Sequence, residues 1–388
     1  MKKESCKTLK RSLLSVLVTS ALCTPHAMAF TRIVNDGETV TGEVVASGDQ
    51  TIRAGGEADH TTINWGGQQR VYGTASDTTI NNGGWQYVEY GGTASDTTIN
   101  DGGTQYVENG GTVTGTTINN GGTLSVNTGG SATGVQQKSG AALIATTATG
   151  TTVKGTNSLG EFSIENGQAE NVLLENGGWL TVVNGTTATG TTINNGGTQY
   201  VENGGTVTGT TINNGGTLSV NTGGSATGVQ QKSGAALIAT IATGTTVKGT
   251  NGLGEFSIEN GQAENVLLEN GGWLTVVNGT TATGTTINNG GTQYVENGGT
   301  ASGTTINDGG WQYVENGGTA TGTTINDGGW QGVYNGGTAS DTTINNGGLM
   351  MTAGTEPQGH RGDGAGFCRD PDRGCGFGGW SADADAGE

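Results

Sequence analysis

Apolar and polar residues alternate in short runs along most of this chain, and a glycine pair closes each run. Two such runs stand in Thr97-Thr98-Ile99-Asn100-Asp101-Gly102-Gly103-Thr104-Gln105-Tyr106-Val107-Glu108-Asn109-Gly110-Gly111, namely Thr-Thr-Ile-Asn and Thr-Gln-Tyr-Val-Glu. A period of two in residues rich in Thr, Ile, Val and Tyr predicts strands. A helix needs apolar positions three and four apart and does not tolerate glycine pairs at short intervals in its interior. The isoleucine returns at Ile80, Ile99 and Ile118, at Ile193 and Ile212, and at Ile287, Ile306, Ile325 and Ile344, nineteen positions apart within each run. One unit cannot bury its own apolar side. Stacked at ~4.8 Å, successive units bury a continuous column and pair their backbones with the coil above and below. The pattern therefore predicts an all-β solenoid of about 19-residue coils.

Alternation also assigns faces. In Trp85-Gln86-Tyr87-Val88-Glu89, Gln86 and Val88 share one side and Trp85, Tyr87 and Glu89 the other. The variant Thr123-Leu124-Ser125-Val126 puts Leu in the Gln place, so the Gln/Val side is the core. Outward columns follow: Tyr87 over Tyr106, Tyr294 over Tyr313, Trp311 over Trp330. With Trp85 these residues form a candidate self-association face, because exposed apolar patches mark contact surfaces. The plainer reading is that the columns only stiffen the coil. Glu89 and Glu108, like Glu296 and Glu315, fall one coil apart on the same side. A solvated acidic stripe is favoured over a calcium site, since the Gly-Gly-x-Gly-x-Asp repeat is missing and Ca²⁺ takes about 6–8 oxygens. Asn81, Asn100 and Asn119 are placed to form a side-chain amide ladder.

Along the chain, residues 1–29 read as a secretory signal: a basic start, an apolar run over Leu13–Leu22, and Ala27-Met28-Ala29 before a cut between Ala29 and Phe30. Residues 30–59 read as a cap of degenerate coils, expected because an open solenoid end is an unpaired sheet edge. Residues 60–348 are the repeat domain. Within it, Gly102–Thr206 recurs as Gly196–Thr300, with differences only at Thr147/Ile241 and Ser158/Gly252. The 75 residues from Ile118 to Ile193 are read as about four irregular coils, with Val135, Val153 and Leu174 standing in for isoleucine. Residues 349–388 break the pattern and are expected to be a disordered tail, read as a frameshift or scar. That tail holds Arg361-Gly362-Asp363, attributed to chance, and His360, Cys368 and Cys375, which lack zinc-ligand spacing.

Composition narrows the choices. Gly is 78 of 388 residues with only 3 Pro and no Gly-X-Y period, which excludes collagen. A net charge of −18 argues against nucleic acid as a partner.

Residues 30–348 resemble the passenger domains of AIDA-type self-associating autotransporter adhesins, the antigen-43-like group. The resemblance rests on the unit Gly91–Asn109 and on Gly140-Ala141-Ala142-Leu143, Leu159-Gly160-Glu161-Phe162-Ser163-Ile164 and Asn171–Gly178. It implies a right-handed parallel β-helix on the cell surface or outer membrane, homotypic cell-to-cell aggregation, biofilm formation and adherence to host receptors. It also implies an O-heptosyltransferase as a partner, with threonines such as Thr186, Thr187 and Thr189 as acceptors, against plain turn chemistry. The family's C-terminal membrane barrel is not recognisable in this sequence, so the chain is read as a truncated member that reaches the periplasm, and the surface or medium if a translocator is supplied. A carbohydrate-active β-helix enzyme is the main alternative, but it needs clustered carboxylates with a basic residue. Arg and Lys are sparse in the coils, so no catalytic, cofactor or metal residue is assigned. An ice-binding solenoid needs an unbroken Thr-x-Thr column, which Thr93-Ala94-Ser95 and Gly303 interrupt.

Overall fold

The computed structural model describes residues 30–353 and, beyond them, the backbone of Arg361–Gly362 and Gly366–Cys368. The signal segment lies outside the described residues, as does most of the tail. Every described element is a strand, and no helix of the described residues is long and apolar enough to cross a membrane.

Each regular coil contains three strands. In one coil these are Thr104–Val107, Thr112–Thr114 and Thr117–Ile118. The middle strand was not visible as such in the sequence, because it is only three residues long and flanked by corners. First strands stack into a 17-stranded sheet, and the second and third stack on the other side of the core. Regular coils pair parallel and in register: Tyr87 meets Tyr106 and Val88 meets Val107. Sixteen steps of ~4.8 Å give a rod of ~77 Å.

The core is thin and partly polar. Val107, Val113 and Ile118 are each 0% exposed, but so are Gln105 and Thr116. A buried amide costs free energy unless it is hydrogen-bonded. The stack supplies the partner: Gln69 Nε2 donates to Gln50 Oε1, Gln86 to Gln69 and Gln105 to Gln86, each at 2.6 Å. Thr116 Oγ1 then donates to Gln105 Oε1 at 2.9 Å. The expected asparagine ladder is present as well, with Asn100 Nδ2 donating to Asn81 Oδ1 at 2.8 Å and Asn119 to Asn100 at 2.9 Å.

The paired glycines serve two separate needs. Gly110 turns the corner at φ +75, and a Cβ there would meet the Tyr90 ring of the preceding coil at 2.4 Å. Gly111 has ordinary φ, but its Cβ would fall 2.2 Å from the carbonyl oxygen of Val88. Only glycine satisfies both the left-handed backbone and the close approach of stacked coils.

The region from Ile118 to Ile193 corrects the four-coil reading. Gln137, not Val135, takes the isoleucine position beside Ile118. Its Nε2 donates to the carbonyls of Ala141 and Leu173, at 3.0 and 3.1 Å. Leu174 does stack on Ile193, as expected, but Val153 pairs with Ala132 in the middle-strand column. Thr152–Asn157 turns back as the antiparallel strand Gly160–Glu165, which turns again into Gln168–Glu170. On the first-strand side, Ala142–Thr146 pairs directly with Trp179–Val182. The residues thus make fewer coils plus an inserted hairpin. The second turn is Asn166-Gly167 with both φ positive, 51 and 77, the two-residue geometry favoured between antiparallel strands. The duplicate builds the same hairpin from Thr246–Asn251 and Gly254–Glu259. Both tips expose a leucine, Leu159 at 59% and Leu253 at 60%.

Stacking also passes the expected domain end at Gly348. Leu349–Thr352 pairs with Trp330–Val333, and Met350 is 0% exposed. The expected tail is therefore structured at its start. Leu-Met-Met-Thr keeps the alternation and puts Met350 beside Gln331 in the core column, although the threonine–isoleucine signature is gone.

Candidate functional site

The outward side of the first strands carries the candidate face. The fold brings its rings into two clusters. In the first, Tyr87 and Tyr106 lie 4.9 Å apart, centre to centre, with planes 8° from parallel. Arg70, from the coil before, places its guanidinium carbon 4.9 Å from the Tyr87 ring centre and its Nη1 3.1 Å from Glu89 Oε1. Glu89 and Glu108, one coil apart on this face, each have a polar partner. Arg70 neutralises the first, and the second accepts a 2.7 Å bond from Asn127 Nδ2. Trp85 belongs to the same face but lies between Gln68 and Thr104 in its column, so the register gives it no stacking ring.

The second cluster is larger. Tyr294 and Tyr313 stack at 5.2 Å and 9°. Trp311 and Trp330 approach to 5.0 Å with planes tilted by 49°. Trp330 also meets the edge of Tyr313 at 5.2 Å and 60°. The tilt has a local cause. Gly332 takes the place of tyrosine in this coil, and a Cβ there would lie 2.2 Å from the Trp330 ring. With that space open, Trp330 leans over its own strand. Tyr334 joins the cluster, 6.2 Å from Tyr313. Sequence reasoning missed Tyr334 and Arg70. The nineteen-residue period carried the signal for Tyr334, which replaces the glutamate of Glu315 one coil later.

Because the tyrosine rings stack nearly parallel along the rod, they cover one another's faces and present edges and hydroxyls outward. Burial comes first among the causes that raise the pKa of Tyr87 and of Tyr313 above the ordinary tyrosine value. Trp311 remains 42% exposed and Tyr294 36%, which leaves apolar edge for a contact.

Each inserted hairpin also borders an open groove of about 440 Å³. In the first copy Lys154, Glu161, Ser163 and Glu170 line it, and Lys154 Nζ is bound to Glu165 at 2.7 Å. The second copy repeats the arrangement, with Lys248 Nζ 2.6 Å from Glu259.

The family described as "Adhesin of bacterial autotransporter system, probable stalk" matches residues 73–122, 154–216, 248–310 and 306–348. The probable autotransporter YpjA of Escherichia coli K12 is 52% identical over 139 residues, 36% of this chain and 9% of that protein. Autotransporter CRAC of Citrobacter rodentium is 54% identical over 177 residues, 36% of this chain and 11% of that protein. The chain thus spans a small part of the curated relatives it matches. A solved fragment of TibA, hyper-glycosylated by TibC, is 33% identical, covers 83% of this chain and 99% of the fragment, and has a TM-score of 0.33.

Proposed function

Since the chain belongs to this family of bacterial autotransporter adhesins, we propose that its rod is a passenger segment through which exported copies adhere to one another side by side. The observation that carries the reading is the pair of ring clusters on one face, above all Tyr294, Trp311, Tyr313, Trp330 and Tyr334. Two rods laid face to face exclude water from these edges, and the tyrosine hydroxyls find acceptors on the partner. Contacts of this kind are weak singly and add up when many copies sit on a surface. Bacterial clumping, biofilm formation and adherence to host surfaces are the proposed outcomes. The exposed threonine columns, such as Thr93 over Thr74 with hydroxyls 3.3 Å apart, are proposed acceptors for an O-heptosyltransferase.

Residues 30–353 displayed on cells through a grafted autotransporter barrel test the reading. Cells are expected to clump, and W311S with W330S is expected to reduce clumping several-fold while the β-type circular dichroism spectrum persists. Dispersed cells carrying the unaltered rod would overturn self-association. Unchanged clumping of the double variant would remove the ring clusters from the account.

A further inference from the structure

Among the described residues, Asp59, His60 and Asp77 form a group whose ligating atoms all lie within 4.8 Å of one another. They come from two adjacent coils. Asp59 ends the strand Glu57–Asp59, His60 takes the corner that follows, and Asp77 takes the same corner one coil later. The register pairs Asp59 with Ser76, and Ser76 Oγ donates to Asp59 Oδ1 at 2.8 Å. His60 Nδ1 lies 2.7 Å from Asp59 Oδ2, and the His60 side chain is 64% exposed.

We propose that Asp59, His60 and Asp77 bind a zinc-class divalent cation, which joins two coils near the start of the rod. The donor chemistry selects the ion. One imidazole nitrogen with two carboxylates suits Zn²⁺ and its neighbours, which take His and Asp together in four-coordinate sites. Calcium wants about 6–8 oxygens, and magnesium favours carboxylates and water in octahedral geometry. Water completes the shell, because the corner faces solvent. His60 and Asp77 hold a left-handed corner, φ 54 and 50, which other coils fill with glycine, as at Gly115 and Gly134, or with Asp or Asn, as at Asp96, Asn171 and Asp341. His60 is also the only histidine among the described residues, and it falls between two carboxylates. The metal adds bonds across the step that His60 N to Ser76 O, 3.0 Å, already spans.

The experiment is calorimetric titration of ZnCl₂ into the full chain, with cysteines alkylated beforehand, comparing the unaltered protein with H60N, D77N and D341N. Asparagine suits the left-handed corner, since Asn171 holds the same position at φ 53, so H60N retains the fold. The expected result is loss of one zinc equivalent, or weakening by about tenfold or more, in H60N and D77N. D341N, at the equivalent corner near the other end, should titrate as the unaltered protein does. Zinc should also slow hydrogen exchange at His60 and Asp77 in the unaltered chain and not in H60N. Equal zinc stoichiometry and affinity in all four proteins would overturn the proposal, as would displacement of the zinc by an equal concentration of Ca²⁺.

Discussion

The two copies of the duplicated block solve one corner in opposite ways. In the first, Thr147 is buried, its hydroxyl pairs with that of Thr186, and it accepts a 3.2 Å bond from Val183 N. The preceding strand stops at Thr146. In the second, Ile241 replaces the threonine, is 0% exposed, and extends the strand by pairing with Val276. Thr280 still donates to Val277 O, at 2.8 Å. Around this difference the hairpins, grooves and ion pairs are preserved. A polar and an apolar solution coexist because each coil answers only to its neighbours, so a change at one level is absorbed within about one coil.

That comparison can be broken. The largest effect is expected for L174A and L268A, equivalent and fully buried residues in the two copies. Each should cost about 2–5 kcal/mol in denaturant unfolding, and the two should agree within about 0.5 kcal/mol. A larger disagreement would mean that influence travels beyond adjacent coils. A smaller effect is expected for I241T. Losing buried apolar surface costs about 1.5–3 kcal/mol, while hydroxyl bonds to the waiting Thr280, Thr275 and Val277 return about 0.5–1.5 kcal/mol. A net cost near 1 kcal/mol follows, and a neutral result would show that the two corners are not equivalent. The smallest effect belongs to S158G and G252S at the hairpin tips, within about 0.5 kcal/mol by thermal melting, because Gly252 has open space around its Cβ position.

Much of this architecture was legible because a solenoid repeats its physics. The stacking of Ile99 on Ile118, the inward Gln86 and Val88, and the ring columns all follow from period two within a period of nineteen. The middle strand was missed because Thr-Ala-Ser is too short to show alternation. The hairpin was missed because Asn166-Gly167 does not stand out in a chain full of glycine corners. Its sequence form is shared by the ordinary corner Asn184-Gly185, and only the positive φ of Asn166, repeated at Asn260, sets the hairpin turn apart. For the candidate face, the period located the columns but not Arg70 above Tyr87 or the lean of Trp330 over Gly332. Those depend on the depth and direction of side chains between coils. The grouping of Asp59 with Asp77 was hidden by the seventeen-residue coil that joins them, which departs from the regular count.

The hairpins have a consequence for how rods can assemble. Their strands belong to the sheet opposite the one that carries the ring clusters, and their leucine-tipped ends reach into solvent. Two rods that meet ring face to ring face therefore turn both pairs of ridges outward. A third rod arriving from behind finds a keel instead of a flat wall. If rods pair through the ring face as proposed, the ridges on the far flank would favour closed pairs over endless lateral arrays.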